Sequence, residues 1–293
     1  MNKTYIEYLD FSWNPIAMRC TPIAAGCKNC WHLRTCDRMK DNPFMPEYIK
    51  NIYACLIGPQ LIDSRLNAPL KRKKPARIGV QFMGDLFHDD CFNISEISGQ
   101  KHSVLNSMLG GDYGMLKIWD IMCRCWSMPG YPRHTFMVLT KRPKNMADWV
   151  FKFFADENNN PRPYPKNIWL GVSVSTQEDA DRLIPILLQI PAAVRWVSAE
   201  PLLENITIDF KLELKEVPTP DGFGYIRKPA IDWLVIGCES GAKRRQCKIE
   251  WIESLVKQGN EAGIPVFVKQ AEIGGKVVSM PEILGRVWAE YPK

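Results

Sequence analysis

Short apolar runs recur along this chain, and amphipathic segments of helical length separate them. The runs cover residues 77–82, 135–139, 168–174, 194–198, 232–236 and 265–268. Most of them are continuously apolar rather than alternating, which is typical of parallel strands that are covered on both faces. The pattern therefore predicts a set of buried parallel strands, and one further strand is expected within 5–13.

The segments between these runs predict helices with one apolar face. One helix is predicted to begin at Pro143, because proline suits the first helical turn. A second follows Ser175 and Thr176, either of which can act as its N-cap, and a third covers about 250–261 and ends before Gly263. Strands and helices that alternate in this way predict an α/β fold built from βαβ units.

Between an open doubly wound sheet and a barrel, the sequence favours the barrel. No strand is followed by a GxGxxG or GxxxxGK[ST] loop, which the common nucleotide-binding open sheets carry. We therefore predict a partial (β/α) TIM-like barrel of about six to seven parallel strands. Polar stretches near 93–114 and 203–229 interrupt the pattern, which resumes after each. The prediction is thus one domain, 1–293, with two insertions on the rim.

The composition excludes an intrinsically disordered chain and predicts a cytoplasmic protein. Hydrophobic residues make up 46% of the sequence and charged residues 24%, which is the globular range. No apolar run reaches the roughly 20 residues of a membrane span, and the first residues lack the apolar core of a signal peptide. The net charge of +6 is mild, and basic residues cluster within 71–77 and 243–248. Such clusters are compatible with a nucleic acid as partner and also with an ordinary solvated surface.

Ten cysteines are many for a chain expected in the reducing cytoplasm, where structural disulfides are rare. Three of them, Cys20, Cys27 and Cys30, form a C-x6-C-x2-C array. Three thiolates from one loop can hold a [4Fe–4S] cluster that leaves one iron free for a small molecule. Tetrahedral zinc is one alternative, and it needs a fourth ligand, for which His32 and Cys36 are candidates. Ordinary buried thiols without a metal are the other.

Polar residues follow the predicted strands at their carboxyl ends, where (β/α) barrels place their active sites. Hydroxyls of Ser173 and Ser175 are candidates to contact a ribose, and Lys141 stands beside a second cation, Arg142. The charged candidates for catalysis, each after a different strand, are Lys141, Glu200, Glu239 and Lys269. Because unpaired charges are costly at a dry barrel mouth, we expect these groups to neutralise one another or to bind a ligand.

The order and wording of several segments resemble an uncharacterised family of phage and bacterial proteins regarded as radical-SAM-like. The segments are SWNP, the cysteine array, GDLFHDD, HTFMVLTKRP, WLGVSVSTQEDADRLIPILLQIPAAVRWVSAEPLL, DWLVIGCESG and PVFVKQ, which together cover nearly the whole chain. The resemblance implies a partial (β/α) barrel in which Cys20, Cys27 and Cys30 hold a [4Fe–4S] cluster that binds S-adenosylmethionine. The first cysteine gap is three residues longer here than in the commonest superfamily spacing, C-x3-C-x2-C.

The same resemblance implies that Gly84 and Asp85, near the end of the second strand, bind the amino group of S-adenosylmethionine. It also implies reductive cleavage of the sulfonium, hydrogen abstraction by a 5′-deoxyadenosyl radical, and a reductant protein as electron source. The expected substrate is a nucleic acid or nucleotide, which the protein would modify or repair. The alternative is a zinc- or cluster-stabilised nucleic-acid-binding or partner protein of phage origin without catalysis.

Overall fold

The structure of the protein is a computed structural model. It describes residues 1–93, 95–96, 113–154, 164–210, 212–219, 222–241 and 243–293. The chain divides into two compact units. The first comprises Met1–Gly171 with Ile190–Ala193, and the second comprises Val172–Gln189 with Val194–Lys293. One strand, β8 (Ile168–Val174), contributes residues to both units.

A mostly parallel sheet forms the centre of the first unit. The strands of this unit are β1 (Asn2–Lys3), β2 (Phe11–Trp13), β3 (Ile16–Ala17), β4 (Gln60–Leu61), β5 (Arg77–Val80), β6 (Ser95–Glu96) and β7 (Thr135–Thr140). β2, β5 and β7 pair in parallel in that order, and β1 is antiparallel to β2. The short strands β3, β4 and β6 form a second sheet.

Helices of the first unit supply much of its aromatic core. They are α1 (Trp31–Lys40), α2 (Glu47–Tyr53), α3 (Asp63–Leu66), α4 (Ala68–Lys71), α5 (Tyr113–Ser127) and α6 (Pro143–Phe153). The 3-10 turns Ala25–Cys27 and Asp89–Asn93 accompany them. Trp119 of α5 and Trp149 of α6 are buried with ring centroids 6.3 Å apart. The predicted helix start at Pro143 is confirmed.

The second unit repeats the parallel pattern with different edges. Its strands are β9 (Val194–Ala199), β10 (Leu212–Thr219), β11 (Gly222–Pro229), β12 (Trp233–Gly237), β13 (Val266–Ile273), β14 (Lys276–Ser279), β15 (Glu282–Ile283) and β16 (Arg286–Val287). β9, β12 and β13 pair in parallel, and β14 is antiparallel to β13. β10 and β11 form an antiparallel hairpin inside the predicted insertion 203–229. Most of the other predicted insertion, 93–114, lies outside the described residues.

Two helices of the second unit, α7 (Gln177–Gln189) and α8 (Ile249–Glu261), match the sequence prediction. The hydroxyl of Thr176 accepts the amide of Asp179 at 3.2 Å and so caps α7. Beyond the end of α8, Gly263 has a φ of 69°, a left-handed conformation that glycine adopts without a steric penalty.

The predicted mixed α/β fold with parallel strands is confirmed, and the strand ends shift by a few residues. β5 ends at Val80 instead of 82, whereas β13 continues to Ile273, well beyond the predicted end at 268. Each unit has its own apolar core, with Trp13 fully buried in the first and Trp196 in the second. Across the described ranges, the helices are too short or too polar for any of them to traverse a lipid bilayer.

Candidate functional site

Three cysteines of the sequence array lie on one loop of the first unit, residues 20–30, which we call the cysteine loop. Cys20, Cys27 and Cys30 are partly exposed, and none of them forms a disulfide. A 3-10 turn folds the middle of the loop, and the amide of Cys30 donates to the carbonyl of Cys27 at 3.2 Å. The array therefore forms a compact loop that offers three free thiols.

The two residues that the sequence offers as further zinc ligands, His32 and Cys36, are buried side by side one turn apart on α1. Nε2 of His32 lies 3.1 Å from the carbonyl oxygen of Met18 and 3.6 Å from Sγ of Cys36. Burial lowers the pKa of His32 to about 4, so the ring is neutral at pH 7. Because a carbonyl only accepts, Nε2 of this neutral ring carries the proton. Within the described residues, these two side chains contact each other and the backbone of Met18.

Within the described ranges, no three or more His, Cys, Asp or Glu side chains are arranged as a ready-formed metal site. The cysteine loop lies within those ranges, so its three thiols are not arranged as such a site. What the loop does provide is a donor set of three thiols, which is the set that iron–sulfur clusters and zinc prefer.

Asp85 links the carboxyl ends of the parallel strands β5 and β7. Its Oδ1 accepts the hydroxyl of Thr140 at 2.7 Å and the amide of Phe87 at 3.0 Å. Its Oδ2 accepts the amide of Lys141 at 3.1 Å and the guanidinium of Arg142 at 3.2 Å. The carboxylate is 5% exposed. It is therefore satisfied by four donors of its own unit.

Arg142 connects this strand-end network to the cysteine loop. One terminal nitrogen, Nη1, lies 3.8 Å from Sγ of Cys20 and 3.2 Å from Oδ2 of Asp85. The other, Nη2, donates to the carbonyl and to the hydroxyl of Thr21, at 3.1 and 2.9 Å. His88 also contacts Thr21, because its Nε2 lies 2.8 Å from the hydroxyl of that residue. The cysteine loop is thus held at the carboxyl edge of the parallel strands.

The electrostatic environment of Cys20 combines opposing influences. Burial raises the pKa of its thiol to about 11, and the negative charge of Asp85 acts in the same direction. Arg142 opposes both, through its charge and its hydrogen bond to the sulfur. Cys20 is therefore a protonated thiol at neutral pH unless a metal ion takes the place of the proton.

Gly84 has a structural reason to be glycine. Its φ is 128°, a conformation that residues with a side chain rarely adopt. A Cβ at this position would also lie 2.8 Å from Cγ of the buried Met18 and closer to its sulfur. The backbone after β5 therefore passes close to Met18, two positions before the cysteine loop.

In the second unit, the predicted residues Glu200 and Lys269 form an ion pair, in which Nζ of the lysine donates to Oε1 of the glutamate. Both side chains are largely buried, at 19% and 15% exposed. The hydroxyl of Ser173 donates to the backbone carbonyl of Glu200 at 2.9 Å. Gly237 lies under the carboxyl group, since a Cβ there would be 3.2 Å from Cδ of Glu200.

Glu239 is also paired within the second unit. Its two carboxylate oxygens accept two nitrogens of the Arg245 side chain, at 2.7 and 3.2 Å, and one of them accepts the Arg245 amide at 2.7 Å. This acid is 6% exposed. By contrast, the buried hydroxyl of Ser175 makes no hydrogen bond within the described part of the chain. Ser175 therefore retains hydrogen-bonding capacity that its own unit does not use.

A basic segment of the first unit, Lys71–Lys74, is largely exposed. Lys71, Lys73 and Lys74 face solvent. The guanidinium of Arg72 lies over the ring of Phe11, 4.2 Å from its centroid. Its stacking on an aromatic ring fixes one cation, while the three neighbouring lysines extend the positive surface.

The structure arranges the predicted site residues in two groups, one in each unit. In the first, Cys20 and Asp85 share Arg142, and Lys141 joins through its backbone amide. In the second, Ser173 and Lys269 both contact Glu200. The residues that sequence reasoning left out of the site are Thr21, Thr140, Arg142 and Arg245. The catalytic and cofactor-binding roles of the predicted site residues stay predictions.

A model of the family described as "Protein of unknown function (DUF5131)" matches residues 3–101 and 116–291 of the chain. No curated protein matches the sequence, and no solved structure matches it.

Proposed function

From its membership of DUF5131, a family of unknown function, and from the residues at its strand ends, we propose that this chain is a radical-SAM-like iron–sulfur enzyme. Cys20, Cys27 and Cys30 would hold a [4Fe–4S] cluster. The substrate would be a nucleic acid or a nucleotide, which the enzyme modifies or repairs. The proposal includes the finer fold prediction, a partial (β/α) barrel.

The observation that carries the proposal is the position of the cysteine loop. Arg142 and His88 hold Thr21, next to the first cysteine, against the carboxyl ends of β5 and β7. Active sites of (β/α) folds collect at this edge, because the loops that follow parallel strands meet there. A loop with three free thiols next to this edge supports a role for them in chemistry.

Each group of the site has a defined task under this proposal. When bound, the cluster supplies the electron for reductive cleavage of S-adenosylmethionine. Gly84 would contact that cofactor through its partly exposed backbone. Asp85 would act through Arg142, because its own acceptor positions are filled.

Nucleic acid as substrate is supported by charge. The chain has a net charge of +6, and the exposed lysines of the basic segment 71–74 offer contacts for phosphates.

In the second unit, Glu200 with Lys269 forms a pair that can hold or move a proton, since the acid and the amine are in direct contact.

The test is anaerobic reconstitution of the whole chain with iron and sulfide. We expect about four iron and four sulfide per chain and the visible absorbance of a cluster. When the cluster is then chemically reduced in the presence of S-adenosylmethionine, we expect release of 5′-deoxyadenosine. Single changes of Cys20, Cys27 or Cys30 to Ala should abolish the cluster. Cys123→Ala is the matched control, because this partly exposed thiol lies on α5, outside the cysteine loop.

The same experiment decides the alternative, a zinc-stabilised nucleic-acid-binding or partner protein. Zinc would be supported by one tightly held zinc ion per chain, no cluster absorbance, and loss of the zinc in the cysteine variants. Tight binding of zinc, together with an iron content that stays near zero after reconstitution, would contradict the enzyme proposal.

A further inference from the structure

Arg142 is the residue outside the predicted site that touches it most directly. Its side chain is 7% exposed, as is that of Asp85. A guanidinium presents five donors in a fixed plane, so it can serve several acceptors at once. Here two acceptors are on Thr21, one is the carboxylate of Asp85, and the fourth neighbour is the sulfur of Cys20.

The position of Arg142 is itself fixed from both sides. Its backbone amide donates to the hydroxyl of Thr140 at 2.8 Å, and that hydroxyl donates to Asp85 at 2.7 Å. Pro143 then begins α6, so the backbone on the other side is part of a helix. A cation held in this way keeps the segment 20–21 at a set distance from the strand ends.

We infer that Arg142 is a positioning residue for Cys20, which it fixes in place as a metal ligand through its contacts to the sulfur and to Thr21. The inference rests on the proposed function only in requiring that the cysteine loop binds a metal. Partners behind a ligand typically change metal affinity by about 10–100-fold when they are removed.

The competing explanation is that Arg142 only neutralises the buried carboxylate of Asp85. The two roles separate in a double variant, Asp85→Asn with Arg142→Gln, which removes both charges and leaves no buried ion unpaired. If neutralisation were the whole role, this variant would bind metal like the native protein. If Arg142 positions Cys20, the double variant stays weak because the contacts to Cys20 and Thr21 are gone.

The measurement uses Co²⁺ added anaerobically to the metal-free full chain, read by the sulfur-to-cobalt charge-transfer absorbance. We expect Arg142→Gln to weaken the apparent affinity by about 10–100-fold. Arg142→Lys should lie between it and the native protein, since it keeps the charge but loses the planar fork. The matched control is Arg245→Gln, which disrupts an arginine–carboxylate pair in the second unit and should leave cobalt affinity unchanged.

The outcomes are separable. Native affinity in the double variant, or in Arg142→Gln, would overturn the inference while leaving the metal site intact. No cobalt absorbance in the native chain, or an absorbance that survives Cys20→Ser, would overturn the proposed function and the inference together. If Arg142→Gln does not fold, the double variant still decides the question, because circular dichroism can show its folding independently of metal.

Discussion

The two units of the chain treat the charged groups at their strand ends differently. In the first unit, the ion pair of Arg142 and Asp85 is deeply buried and extends to the sulfur of Cys20. In the second unit, Glu200 pairs with Lys269 and Glu239 pairs with Arg245. An ion pair that also contacts a candidate metal ligand has a second role. A pair in which an acid and a cation only neutralise each other can be structural.

This contrast divides candidates that look equivalent by position. Lys141, Glu200, Glu239 and Lys269 all follow strands, and the sequence assigns them one shared mouth. Within its own residues, the first unit has a thiol–guanidinium–carboxylate arrangement, and the second unit has two carboxylate–cation pairs. Burial is also unequal, because Arg245 is 28% exposed whereas Arg142 is 7% exposed.

The largest expected effect is on stability, from removing each arginine. Arg142→Met leaves Asp85 buried without its cation and should lower the free energy of unfolding of the first unit by about 3–5 kcal/mol. Arg245→Met should lower that of the second unit by about 1–2 kcal/mol, because its partly exposed side chain is already screened by water. Hydrogen exchange in urea, read separately for each unit, measures both. Equal losses would contradict the contrast between the pairs.

Glycines at the two sites sharpen the same comparison. Gly84→Ala introduces a Cβ against Met18 at a φ of 128°, so we expect a loss of about 2–4 kcal/mol. Gly237→Ala meets the carboxyl group of Glu200 at 3.2 Å and should cost about 1 kcal/mol or less. Urea unfolding followed by tryptophan fluorescence measures both changes. A Gly84→Ala protein as stable as the native one would show that Met18 moves aside easily.

Acid should weaken the first unit selectively. Its described histidines, His32, His88 and His134, all have a pKa lowered chiefly by burial, to about 4 for His32. Since the unfolded ring titrates near 6.5, the unfolded state binds more protons between pH 6.5 and 4. The stabilisation is complete above pH 6.5 and is lost as pH falls, by about 3 kcal/mol for His32 alone.

The second unit is the internal control for this pH effect, because its sequence contains no histidine. Hydrogen exchange at pH 7 and 4.5, corrected for intrinsic rates, should show loss of protection in the first unit only. His32→Gln should flatten the pH slope, whatever it does to stability at pH 7. A slope unchanged in His32→Gln would assign the acid sensitivity to other groups.

Much of the fold was predictable because its strands are apolar on both faces. The run 168–174 coincides with β8 for this reason. The helix α5 is absent from the sequence prediction although its buried residues Ile118, Trp119 and Met122 recur at helical spacing. It directly follows the polar stretch near 93–114, which resembles an insertion in sequence. The hairpin of β10 and β11 was missed since its charged, proline-containing strands resemble a loop in sequence.

Part of the candidate site was predictable and part was not. The cysteine array and Asp85 stand out by residue type and by their place after strands. Arg142 does not stand out in the sequence, since it is 122 residues from Cys20 and only the fold brings the two together. Between two adjacent cations the sequence favoured Lys141. The choice of Arg142 depends on which side chain turns inward as α6 begins, which spacing alone does not determine.

The smallest expected effect separates the basic surfaces of the two units. If the basic segment contacts phosphates, Lys73→Gln and Lys74→Gln should each reduce the slope of log affinity for single-stranded nucleic acid against log salt by about one. Lys243→Gln, an exposed lysine of the second unit, should not. All three should change the free energy of unfolding by less than about 0.5 kcal/mol, because they are surface substitutions. An equal change of slope for Lys243→Gln would place nucleic-acid contacts on both units, and no change for any variant would contradict a phosphate-binding role for the segment.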